Sequence, residues 1–93
     1  MTIRVLVIDD HELVRFGLKS MFAGTDIQVV SEASNGDDGI ARALKDRIDL
    51  VLLDVRMIEG DGLNVLGRIK LERPELPVLM LSGYDNPTYV ARA

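Results

Sequence analysis

The chain has 93 residues, 47% of them hydrophobic and 28% charged, with a net charge of −4 and no cysteine. That is enough apolar material for one small core and no more than one domain. The acidic balance and the lack of a Lys/Arg cluster argue against an electrostatic grip on nucleic acid, since Arg42, Lys45 and Arg47 are interleaved with Asp46 and Asp49. Without cysteine there is no disulfide framework and no thiolate metal site. The N-terminus enters an apolar run at once and has none of the zones of a signal peptide. No apolar run approaches the roughly 18 residues needed to cross a bilayer. A cytoplasmic location is expected, with no membrane contact.

Strand signals recur at Ile3–Ile8, Ile27–Ala33, Leu50–Leu53 and Val78–Leu81. Helix-period segments lie between them. Leu13/Val14, Leu18, Met21 and Phe22 form the apolar stripe of the first, Ile40, Ala43 and Leu44 that of the second, and Leu63, Leu66 and Ile69 that of the third. Gly24, Asn35-Gly36 and the pair Pro74 and Pro77 punctuate the boundaries, and a fourth helix is expected near Pro87. Regular β-α alternation means an α/β fold with a parallel, doubly wound sheet of the flavodoxin type, strand order 2-1-3-4-5. The pattern reaches Ala93 inside an apolar helical segment. The domain is therefore expected to be incomplete, short of a fifth strand and helix by roughly 25–30 residues, the size of one more β/α unit.

Parallel strands point their carboxyl ends the same way. Asp9 and Asp10 after the first strand and Asp54 after the third therefore converge at one edge, where open α/β sheets bind ligands. Packed carboxylates repel unless a cation sits between them, and all-oxygen donors suit a hard divalent ion, Mg²⁺ or Mn²⁺. Asp10 has a second reading as the cap of the helix starting near His11. Asp54 could simply open a turn. The loop from Asp54 to Gly62 can offer a main-chain carbonyl to a metal, and Ser82 brings a hydroxyl to the same edge, able to donate to an anionic oxygen. His11 is expected to be a solvated first-turn residue, Arg15 and Lys19 part of a solvated helix face, and Asp37, Asp38 and Asp61 solvated loop or helix-start charges.

The segments Val5-Leu6-Val7-Ile8-Asp9-Asp10-His11, Leu50-Val51-Leu52-Leu53-Asp54-Val55-Arg56-Met57, Asp61-Gly62 and Leu79-Met80-Leu81-Ser82 resemble the receiver domain of bacterial two-component response regulators. The run Asp9-Asp10-His11-Glu12-Leu13-Val14-Arg15-Phe16-Gly17-Leu18 is most similar to the NarL/FixJ type. The resemblance implies a receiver over residues 1–93 with no effector domain in this chain. In a full-length parent, a DNA-binding domain would follow. It makes Asp54 the phosphoacceptor and assigns Mg²⁺ to Asp10, Asp54 and the Arg56 carbonyl, with Asp9 acting through water. Ser82 would hydrogen-bond the phosphoryl group. A sensor histidine kinase, or a small donor such as acetyl phosphate, would supply that group, and the chain would act as a signalling module rather than an enzyme.

Family members place a proline four residues after the phosphoacceptor, where this chain has Ile58, and a lysine on the fifth strand that has no counterpart within these 93 residues. A second reading is a receiver that only binds partners or dimerises, without productive phosphorylation. The open fourth strand and uncovered apolar surface make self-association an expectation. A Mg²⁺ phosphatase of the haloacid-dehalogenase type is disfavoured, because its acid/base Asp two residues beyond the nucleophile is Arg56 here.

Overall fold

The computed structural model describes residues 1–56 and 62–81. The element order is β1 (Ile3–Ile8), α1 (Glu12–Phe22), β2 (Ile27–Ala33), α2 (Gly36–Lys45), β3 (Leu50–Asp54), α3 (Gly62–Glu72) and β4 (Val78–Leu81). The four strands are parallel in the order β2-β1-β3-β4. Strand limits match the sequence-based expectation, except that β3 extends to Asp54. The segment around Pro87, Ser82 and Asp61 lie outside the described residues.

Period-2 alternation sends successive strand residues to opposite faces. Leu6, Ile8, Val51, Leu53, Val78 and Met80 face the larger core, which α2 and α3 close with Ile40, Ala43, Val65 and Ile69. Val5, Val7 and Leu52 face the other way, toward Leu18 and Phe22 of α1. β1 and β3 are therefore buried on both faces, and their carboxyl ends are held rigidly.

One irregularity interrupts the ladder. Val5 pairs with Val29 but Leu6 pairs with Ser31, so Val30 is an extra residue in β2.

The helix ends follow local chemistry. Gly24 takes φ 81° just past α1, a left-handed turn that glycine enters without steric cost. Asn35 caps α2 by accepting the Asp38 N–H at 2.8 Å, with Asp37 and Asp38 in the first turn as the helix dipole favours. α3 starts hard against β3: a Cβ on Gly62 would lie 2.6 Å from Val55 Cα, so only glycine fits.

The apolar stripes differ in part from the sequence expectation. On α1, Leu18 and Phe22 pack on the sheet, whereas Leu13 and Met21 are exposed and Val14 is largely so. On α3 the buried pair is Val65 and Ile69, and Leu63 points outward; on α2, Leu44 does the same. Single exposed apolar residues are ordinary on a protein surface, so helix-period spacing marks several faces and packing chooses among them.

Leu53 is fully buried in the central strand. Leu53→Ala should lower unfolding free energy by about 2–5 kcal/mol, read as a lower urea midpoint at unchanged slope.

Candidate functional site

The register fixes where the acids emerge. Ile8 is level with Leu53, so Asp9 and Asp54 follow at the same height on adjacent strands, with Asp10 one residue on. One ligand atom from each of Asp9, Asp10, His11 and Asp54 lies within 4.8 Å of the others. Asp9 and Asp54 are buried and Asp10 is half-buried.

Main-chain donors orient these side chains. Asp9 Oδ1 accepts the His11 N–H at 2.8 Å, and Asp54 Oδ1 accepts the Arg56 N–H at 2.9 Å. The Asp9 N–H donates to the Ala33 carbonyl at 3.0 Å, and the Val55 N–H to the Leu81 carbonyl at 3.0 Å. His11, not Asp10, is the N-cap residue of α1, and its side chain makes no capping hydrogen bond.

His11 is more involved than expected. Its ring is 60% exposed, yet Nδ1 sits 3.1 Å from Asp9 Oδ1, 3.0 Å from Asp10 Oδ1 and 3.8 Å from Asp54 Oδ2. The hydrogen bond to Asp9, followed by the charge of Asp10, holds the imidazole pKa above its ordinary 6.5. Burial, reinforced by the charges of Asp9 and Asp10, raises the Asp54 carboxyl above 3.8.

Arg15 also departs from expectation. Its side chain is 16% exposed, and it binds Glu32 of β2 and the Asp9 carbonyl instead of facing solvent. Of the sequence-derived candidates, Asp9, Asp10 and Asp54 come together, Arg56 lies in the turn directly after Asp54, and Ser82 lies outside the described residues. The oxygen-rich donor set fits a hard divalent cation such as Mg²⁺. Among the described residues no helix is long and apolar enough to cross a membrane.

Both pKa shifts bear on stability with the same sign. An acid whose pKa is raised by folding binds its proton more tightly in the native state, so stability falls as pH rises from 3.8 through the folded value. The raised His11 contributes stability that is complete below 6.5 and lost as pH climbs through its folded pKa. Without metal, the melting temperature should therefore drop as pH is raised above 6.5. His11→Ala should flatten that drop, and Asp54→Asn should melt higher than wild type at neutral pH. Thermal melts in chelator across this range check all three.

The response regulator receiver domain family matches residues 5–93. The response regulator protein VraR of Staphylococcus aureus is 42% identical over 94 residues, covering 100% of this chain and 45% of VraR. The chain thus spans under half the length of that relative. The response regulator domain of Thermotoga maritima CheB superposes with a TM-score of 0.85 at 29% identity, over 96% of this chain and 66% of that one. RcsB from Salmonella enterica serovar Typhimurium, solved bound to promoter rprA in the presence of the phosphomimetic BeF₃⁻, gives 0.82 at 26% identity, over 95% and 75%. With its 2-1-3-4 parallel sheet and its acids at one edge, the chain belongs to the response regulator receiver domains of two-component systems, of the NarL/FixJ type.

Proposed function

We propose that this chain is a phosphoacceptor module in which Asp54 takes a phosphoryl group from a sensor histidine kinase or a small donor such as acetyl phosphate. The observation that carries the reading is the meeting of Asp54 with Asp9 and Asp10 at the carboxyl edge of the sheet. The RcsB neighbour, solved with a phosphomimetic, supports it by likeness.

Asp54 attacks phosphorus through a carboxylate oxygen; a P–O bond forms as the donor's P–N or P–O bond breaks. The Arg56 N–H on Oδ1 orients the carboxylate and leaves Oδ2 facing the cluster. Asp10 and Asp54, with the Arg56 carbonyl, would be the direct ligands of a Mg²⁺ or Mn²⁺ ion, and Asp9 would act through water. When bound, the ion supplies the positive charge that lets an anionic phosphoryl group approach acidic side chains. Ser82 donates its hydroxyl to the phosphoryl oxygens.

The new charge on Asp54 switches a downstream output, which in a full-length parent is DNA binding through a domain that follows the receiver. The chain works in the cytoplasm as a signalling module, itself binding neither nucleic acid nor membrane.

Incubation with acetyl phosphate and Mg²⁺ should add the mass of one phosphoryl group to the intact protein, and EDTA or Asp54→Ala should abolish the addition. Labelling that persists in Asp54→Ala, or no labelling of wild type, would overturn the assignment.

Self-association belongs to the same proposal. Leu50, Leu79 and Leu81 are only partly covered on the α1 side, and β4 is an edge strand among the described residues. Light scattering should give at least a dimer mass at high concentration, and a monomer mass throughout would count against it.

A further inference from the structure

Asp9 is held on three sides. Its N–H donates to Ala33 O, its Oδ1 accepts from His11 N, and its carbonyl accepts from Arg15 Nη1 at 2.5 Å. The third bond differs in kind, because it comes from a side chain on α1 and ends on the peptide joining Asp9 to Asp10. The same guanidinium donates through Nε to Glu32 Oε1 at 3.1 Å, while Lys19 Nζ takes Glu32 Oε2 at 2.7 Å. Lys19 first, then Arg15, lowers the Glu32 pKa, so this brace stays charged.

An exposed ion pair stabilises a fold by about 0–1 kcal/mol and would merit little notice. This one is partly buried, and it spans a strand carboxylate and the main chain beside the acid pair. A planar guanidinium presents donors in fixed directions and can bridge two such acceptors, which an ammonium cannot do with the same geometry. Rotation of the Asp9–Asp10 peptide would swing the Asp10 carboxylate out of the cluster. Arg15 opposes that rotation from one end and Glu32 anchors it at the other.

We propose that Arg15, braced by Glu32, is a positioning residue that fixes the Asp9–Asp10 peptide and so preorganises the acids for a divalent cation. The proposal rests on the reading that Asp10 and Asp54 hold such an ion. Charge and geometry predict opposite results here. A cationic side chain near the cluster repels a metal ion, so its charge alone would make Arg15→Ala bind metal more tightly. Loss of positioning makes it bind more weakly.

The test is Mn²⁺ affinity of the 93-residue chain by electron paramagnetic resonance, without phosphodonor, alongside metal-free thermal melts. Arg15→Ala should weaken Mn²⁺ binding by about tenfold. Arg15→Lys, which keeps the charge, should recover only part of the loss. Glu32→Gln should weaken binding less than Arg15→Ala, and Lys19→Ala should stay near wild type. Amide resonances of Asp9 and Asp10 should move in metal-free Arg15→Ala. Equal or tighter Mn²⁺ binding by folded Arg15→Ala overturns the proposal. Should that variant not fold, wild-type affinity in Glu32→Gln overturns it instead. Failure of the underlying reading looks different: wild type would not bind Mn²⁺, or Asp10→Asn would bind it as wild type does.

Discussion

Like charge held at close range is the constraint around which this molecule is built. Parallel pairing of β1 with β3 brings Asp9 and Asp54 out at one height, and the chain direction adds Asp10 beside them. At an effective dielectric of about 20, two unit charges 4 Å apart interact by about 4 kcal/mol. A domain is stable by only about 5–15 kcal/mol, so such repulsion is a large fraction of the total. Burial, and after it the charges of Asp9 and Asp10, raises the Asp54 carboxyl, while the hydrogen bond to Asp9 and the charge of Asp10 raise His11. Two-sided burial of β1 and β3 keeps the strands from yielding to the repulsion.

The two faces of the sheet contribute unequally. One carries the larger core under α2 and α3, where Ile8, Leu53, Ile69 and Leu76 are fully buried. The other is closed by α1 with fewer apolar groups, and polar links from Arg15 and Lys19 to Glu32 make up part of the difference. The side chains bearing charge chemistry thus sit on strands braced from the strongly packed side. The helix nearest them is attached by hydrogen bonds with defined direction.

Strand limits and the convergence of Asp9, Asp10 and Asp54 were legible in the sequence, because short segments rich in branched apolar residues have few alternative readings and parallel order follows from βα alternation. The exposed faces of α1 and α3 were not. Leu13, Met21 and Leu63 keep helix period with buried neighbours, and only packing separates the sets. His11 was legible as exposed but not as a neighbour of three carboxylates, since that depends on how the chain turns from β1 into α1. Arg15 with Lys19 reads as a solvated pair one turn apart. Their common partner lies on strand β2, at a position that apolar spacing does not reveal.

That position depends on the extra residue in β2. Paired residues of neighbouring strands share a face, so Val29 lies with Val5, and Glu32 with Val7, on the α1 side. Counting by twos from Val29 would put Ser31 there and send Glu32 to the opposite side. The insertion at Val30 reverses the parity of everything after it in the strand. The skip in register at Val30 therefore decides which helix this acid serves. Were Val30 instead paired in regular register opposite Leu6, Ser31 would fall opposite Val7, Glu32 would turn toward α2, and the two cations of α1 would face a hydroxyl.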